Sequence, residues 1–128
     1  MCECVIAGDF NANLDSNDVM SQRINDFIRK NGLIRCDVLF QKDNIATYVY
    51  DALHHQSTID YILVSSCDCV CDFDILDPDI NFSDHLPLIL TCVCSDSIAM
   101  LMLLLLAMSH PLNYLHIIGG TELISFIL

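Results

Sequence analysis

The chain has 128 residues, of which 54% are hydrophobic, and a formal net charge of −12. A length of this order fits one domain with its own core. With only 5 basic residues against 17 acidic ones, the composition excludes tight nucleic-acid binding by charge attraction alone, because such binding requires Lys and Arg along the phosphate path. Clustered acids can still hold a divalent cation, whose charge offsets the repulsion of a phosphate group.

The cysteines mostly recur at every second residue, which places them on one face of a strand. Zinc sites separate paired cysteines by two or more residues, so this spacing favours small apolar strand side chains over a metal cluster or a disulfide framework. It is typical of a protein in a reducing, intracellular compartment. The spaced residues are Cys2, Cys4, Cys67, Cys69, Cys71, Cys92 and Cys94.

The first predicted elements are a strand and an amphipathic helix. Residues 4–7 form a short apolar run that ends at Gly8, and acidic and amide side chains follow it in the sequence Gly-Asp-Phe-Asn. A helix is predicted over about residues 18–30, with Ser16 as its N-cap. Its apolar stripe is expected to face the core. The stripe consists of Met20, Ile24, Phe27 and Ile28.

Further strands are predicted over residues 38–40, 46–50 and 86–94. Another strand, over residues 59–64, has apolar side chains on both faces and also carries Asp60. A carboxylate in such a strand needs a polar partner.

Three short motifs place carboxylate, amide and imidazole groups at the ends of these apolar runs. They are Gly-Asp-Phe-Asn at residues 8–11, Ser-Thr-Ile-Asp-Tyr at 57–61 and Ser-Asp-His at 83–85. Each alone is an ordinary turn or strand sequence. Together, and in this order, they resemble the C-terminal half of the endonuclease/exonuclease/phosphatase (DNase I-like) family, and are most similar to the endonuclease domains of non-long-terminal-repeat retrotransposons.

The resemblance implies roles for individual residues in hydrolysis of a phosphodiester. It implies that Asp9 aligns or activates the attacking water, that Asn11 contacts the phosphate, and that Asp84 is the carboxylate on the metal side. It further implies that His85 binds the scissile phosphate and that Asp60 supports this histidine. Two more residues, expected near the nucleic acid, are Thr47 and Ser57. The implied cofactor is Mg2+ or Mn2+, and the implied partner is DNA.

The implied fold is α+β, a partial four-layer sandwich of mostly antiparallel sheets with a flanking helix. The family places a metal-binding glutamate upstream of the first motif, where only a few residues of this sequence stand. Residues 1–96 are therefore expected to match the C-terminal half of the family domain, with an N-terminal half as a missing partner and weak or no activity for the fragment.

Residues 97–128 are expected to be an apolar tail outside the family domain, helical in structure. Residues 98–108 are uninterrupted apolar, which is shorter than the ~20 residues that span a bilayer. A membrane anchor over residues 98–118 therefore stays an alternative that is not favoured.

The sequence leaves two other functions open. One is a phosphatase or phospholipid phosphodiesterase of the same superfamily. The other is a non-catalytic retroelement remnant or membrane-tethered interaction protein.

Overall fold

The computed structural model describes residues 4–50, 53–68, 70–76, 83–93, 114–118 and 123–127. They form nine strands and two helices. In chain order these are β1 (Val5–Asp9), α1 (Val19–Lys30), β2 (Ile34–Arg35), α2 (Cys36–Leu39), β3 (Tyr48–Tyr50), β4 (His55–Ser57), β5 (Asp60–Val64), β6 (Val70–Ile75), β7 (Leu88–Val93), β8 (Tyr114–Ile118) and β9 (Leu123–Ile127).

The described strands form three sheets, with the orders β1-β5-β2, β3-β4 and β6-β7-β9-β8. All of their pairings are antiparallel. The predicted α+β class with mostly antiparallel sheets is confirmed, and the arrangement is consistent with a partial DNase I-like fold.

Strand β5 separates two apolar clusters, as its two-sided apolar sequence predicts. Ile62 and Val64 pack with side chains of β6 and β7 on one face. Tyr61 and Leu63 pack on the other face with Leu14 and residues of α1. These four β5 residues are at most 1% exposed. The strand is therefore fixed firmly, and so is the position of Asp60 at its start.

Helix α1 confirms the predicted element but begins at a different cap. The N-cap is Asp18, whose carboxylate accepts hydrogen bonds from the backbone N–H groups of Met20 and Ser21. Ser16 instead donates its hydroxyl to Asp18, and this bond, with those from Ser21 and Met20, holds the pKa of Asp18 well below its usual value.

The apolar stripe of α1 is narrower than predicted. Ile28 is buried and Ile24 packs against the second cluster. Met20 and Phe27, however, are 55% and 48% exposed. The buried face therefore covers only part of the predicted stripe.

The strand predicted over residues 38–40 is wrong, because residues 36–39 form helix α2. The turn is closed by the Phe40 N–H, which donates to the Cys36 carbonyl, and Cys36 is fully buried against β5 and β6. A run of three apolar residues is too short for its periodicity to distinguish the two structures.

The helix predicted for the apolar tail is also wrong where the tail is described. Strands β8 and β9 pair with each other, and β9 pairs with β7 from Ile89 to Val93. The reason is that the second edge of β7 presents backbone N–H and C=O groups, which β9 satisfies. Residues 94–113 lie outside the described part, and the domain boundary at residue 96 stays a prediction. Among the described residues, no helix has the length and apolar character needed to cross a membrane.

A buried tyrosine connects the second cluster to the loops around the site. The Leu14 N–H donates to the Tyr61 hydroxyl at 2.9 Å, and this hydroxyl donates to the Thr58 carbonyl at 2.7 Å. Burial raises the pKa of Tyr61 to about 12.

We expect Tyr61→Phe to lower the free energy of unfolding by about 2 kcal/mol, because it leaves a buried N–H and a buried carbonyl without their partner. Urea unfolding measures this change. Tyr50→Phe is the matched control, since Tyr50 is 42% exposed. An equal loss in both variants would contradict the expectation.

Candidate functional site

Three groups from distant parts of the chain meet at one place. Asp9, Asp60 and His85 each offer a ligand atom, and these atoms all lie within 4.8 Å of one another. The two aspartates meet because β1 and β5 are antiparallel with Asp9 directly opposite Asp60. His85 reaches the same place through a bridge to Tyr48 at the start of β3. The arrangement is a polar site at the edge of a buried sheet.

Asp60 and His85 form the most direct contact of the site. The two carboxylate oxygens lie 3.2 and 3.0 Å from Nδ1 of the imidazole. The Asp60 side chain is 12% exposed, whereas that of His85 is 34% exposed. A carboxylate that accepts from Nδ1–H fixes the ring orientation and turns Nε2 to the opposite side. The structure thus supplies the partner that the sequence required for Asp60.

The same contact changes the protonation of the ring. Partial burial opposes the charged imidazolium, but the hydrogen bond and charge of Asp60 outweigh it and raise the pKa of His85. The carboxylates of Asp9 and Asp84 add to this effect. A protonated ring can donate a hydrogen bond to an anionic ligand.

Asp9 and Asn11 are joined by a local turn. The Asn11 N–H donates to Oδ1 of Asp9 at 2.7 Å, and Asn11 has φ of 50°. Asn adopts this left-handed conformation more readily than most residues. The turn is anchored to the neighbouring strand, because the Phe10 N–H donates to the Ile59 carbonyl at 2.8 Å. The exposed Asn11 amide therefore follows Asp9 at the site edge.

Asp84 lies beside the three converging groups without belonging to them. Its Oδ1 is 4.0 Å from Nε2 of His85, and its side chain is 48% exposed. The Val49 N–H donates to the Asp84 carbonyl at 2.7 Å. Asp84 is thus on the Nε2 side of the ring, whereas Asp60 is on the Nδ1 side.

Tyr48 is a neighbour of the site that the sequence does not predict. Its ring centroid lies 5.1 Å from that of His85, with an edge-to-face orientation. Burial, and next the charge of Asp84, raise the pKa of Tyr48. The sequence offered no signal for this role beyond the position of Tyr48 directly after Thr47 in a β-branched and aromatic run.

The structure places Thr47 differently from the expected contact with nucleic acid. Thr47 is 1% exposed, so its hydroxyl faces the protein interior. Ser57 is the last residue of β4 and pairs with Tyr48, and it is half-buried. Of the seven residues predicted for the site, Thr47 is the one that lies beneath it.

The raised pKa of His85 gives a prediction for the chain without divalent ions. We expect the His85 ring protons to titrate by NMR above pH ~6.5, the ordinary histidine value, and to titrate lower in Asp60→Asn. Because the folded chain holds this proton more tightly than the unfolded chain does, protonation of His85 adds to the free energy of unfolding. This contribution is complete below the unfolded-state pKa of His85 and is lost as pH rises through its folded-state pKa. Asp68→Asn, at an exposed position, is the matched control. An unchanged titration in Asp60→Asn would contradict the assignment.

The sequence that carries this site matches one known protein family. The sequence profile described as the Endonuclease/Exonuclease/phosphatase family matches residues 2–85, a segment that ends on His85 and contains Asp9 and Asp60. No curated protein and no solved structure gives a significant match to the chain. The family suggests a nuclease-like or phosphatase-like hydrolase, and it is generally dependent on divalent metal ions. The match covers more than half of the sequence, and the chain therefore belongs to the endonuclease/exonuclease/phosphatase family.

Proposed function

We propose that this chain is an endonuclease-like domain of the retrotransposon type, which hydrolyses a DNA phosphodiester with Mg2+. The single observation that carries the proposal is the convergence of Asp9, Asp60 and His85 within 4.8 Å. Hydrolysis of this bond requires a positioned water, a group that takes its proton, and positive charge against the phosphate oxygens. The three groups and their neighbours supply the first two requirements and part of the third.

Residues of this chain have separate roles in the proposed hydrolysis. Asp9 orients the attacking water and takes its proton, while the Asn11 amide donates a hydrogen bond to a phosphate oxygen. His85, held at Nδ1 by Asp60, donates from Nε2 to the scissile phosphate. The water oxygen forms a bond to phosphorus, and the bond from phosphorus to the leaving sugar oxygen breaks with its electron pair. The departing oxygen takes a proton from solvent water, and Asp9 releases its proton to solvent.

The donor set fits a hard divalent cation. Carboxylate oxygens are the ligands that Mg2+ prefers, and Mg2+ keeps several of its own waters. We propose Asp84 as the chief carboxylate for the ion, with Asp9 and Asp60 beside it. A bound Mg2+ or Mn2+ supplies positive charge against the phosphate oxygens and lowers the pKa of bound water.

Two motifs support a retroelement nuclease over a phosphatase of the same family. They are the Ser-Thr-Ile-Asp-Tyr string at residues 57–61 and the Leu-Pro-Leu sequence at residues 86–88. The net charge of −12 opposes the approach of DNA, so we propose weak DNA binding and a low rate.

The test uses the full chain with supercoiled plasmid DNA, where one cut per molecule gives a visible nicked product. Nicking is expected with Mg2+ or Mn2+ and not with a chelator. A phosphate monoester is assayed in parallel. Hydrolysis of the monoester alone would favour the phosphatase alternative, and no hydrolysis of either substrate by the folded chain would favour a non-catalytic protein.

A further inference from the structure

The Thr47 hydroxyl is a buried acceptor shared by the segment that carries Asp60. The N–H groups of Ile59 and Asp60 both donate to Oγ1 of Thr47, each at 3.0 Å. A hydroxyl oxygen has two lone pairs, so these bonds use its full accepting capacity. With Thr47 only 1% exposed, water does not replace either bond.

The Thr47 backbone binds the segment that carries His85. The Leu86 N–H donates to the Thr47 carbonyl at 2.6 Å, and the Thr47 N–H donates to the Ser57 carbonyl at 3.0 Å. One residue thus bonds the backbone at Asp60 and the backbone directly after His85. The side chains of Asp60 and His85 are in direct contact, with Oδ2 of Asp60 3.0 Å from Nδ1 of His85.

We propose that Thr47 is a positioning residue, whose hydroxyl sets the distance between the Asp60 carboxylate and the His85 ring. This inference rests on the proposed function only for its effect on catalysis. The hydroxyl holds the backbone at Asp60, and the carbonyl holds the chain beside His85. Loss of the hydroxyl releases the backbone at Asp60, while the backbone after His85 stays bound to the Thr47 carbonyl.

Thr47→Val tests the role of the hydroxyl, because valine keeps the shape of the side chain and removes the acceptor. A misplacement of about 1 Å in such a site costs roughly 100-fold in rate. We therefore expect kcat for plasmid nicking to fall about 10- to 100-fold with little change in KM. Mn2+ binding, followed by electron paramagnetic resonance, is expected to weaken, and the His85 ring resonances are expected to shift. Thr47→Ser restores the hydroxyl and is expected to recover all three properties.

Tyr61→Phe is the control for a merely structural effect. It also removes a buried hydroxyl that bonds two backbone groups, and it leaves Thr47 and its bonds in place. Its stability is expected to fall without a shift of the His85 resonances. If the valine variant does not fold, Thr47→Cys replaces it, because sulfur is a weak acceptor.

Two results would overturn the role of Thr47. One is a folded Thr47→Val or Thr47→Cys chain that keeps the wild-type His85 resonances and Mn2+ binding. The other is a Thr47→Ser chain as impaired as Thr47→Val. A wild-type chain that does not nick DNA would contradict the proposed function instead, and the resonances and Mn2+ binding would still decide the role of Thr47.

Discussion

Replacement of His85 by asparagine is expected to lower Mg2+-dependent plasmid nicking by at least ~100-fold, the range that one preorganised hydrogen-bond donor to the reacting group contributes. Asparagine keeps a polar side chain but cannot become a cation as the imidazole can. In the wild type, Oδ2 of Asp60 lies 3.0 Å from Nδ1 of His85 and favours that charged form. The measurement is the initial rate of nicked-plasmid formation at saturating Mg2+, with folding checked by circular dichroism.

The matched control for this variant is His54→Asn. His54 is exposed and has φ of 51°, a conformation that asparagine tolerates. Its nicking rate is expected to equal that of the wild type. A folded His85→Asn chain that nicks within about threefold of the wild-type rate would remove His85 from the mechanism.

The second large effect concerns stability and a buried ion pair. The Arg35 guanidinium donates to the Asp37 carboxylate at 2.5 and 3.2 Å. The two side chains are 11% and 3% exposed. Arg35 also binds Asp15 through two nitrogens and lies 5.1 Å above the Tyr61 ring. Although its burial acts in the opposite direction, these acidic partners raise the pKa of Arg35.

Arg35→Met is expected to lower the free energy of unfolding by about 3–5 kcal/mol, because it leaves the Asp37 charge buried without its partner. The double variant Arg35→Met/Asp37→Leu removes both charges and is expected to recover much of this loss. Chemical denaturation of the two chains measures the difference. A double variant no more stable than the single one would show that the buried charge is not the cause.

The control pair lies on the surface of α1. Arg29 and Asp26 are 2.8 Å apart, with side chains 78% and 55% exposed. Exposed pairs contribute little because water screens them. Arg29→Met is therefore expected to leave the stability almost unchanged, which separates burial from charge as the origin of the Arg35 effect.

The sequence predicted the elements that carry strong periodic signals. Strand β5 is apolar on both faces, and burial on both sides follows directly. Helix α1 was predicted from its stripe and cap region, although the cap is Asp18 and not Ser16. A serine and an aspartate two residues apart offer equivalent acceptors, so only the actual backbone path decides between them.

Tertiary contacts explain what the sequence did not predict. The hydrophobic periodicity of residues 38–40, and of the apolar tail, does not distinguish a helix from a strand. Burial of Cys36 determines the structure of the first segment. Pairing with β7 determines that of the tail where it is described. Thr47 looks like any β-branched strand residue. Its two hydrogen bonds become visible only when the segment at Asp60 is placed against it.

The pairing of Asp9 with Asp60 is the feature of the site that the sequence alone could least predict. The residues are about fifty positions apart, and no local pattern joins them. Their register across β1 and β5 is a property of the folded sheet. The order of the motifs pointed to a common site, but only the sheet gives its geometry.

We expect one divalent ion to bind beside His85, held chiefly by Asp84 with Asp9 and Asp60 next to it. Paramagnetic Mn2+, added to the chain at substoichiometric amounts, broadens NMR signals close to it. We expect early broadening of the His85 ring signals, which is greatly reduced in Asp9→Asn and in Asp84→Asn and is retained in Asp68→Asn. Broadening of the His85 signals that persists unchanged in both site variants, or no selective broadening at all, would contradict the binding of an ion at this site.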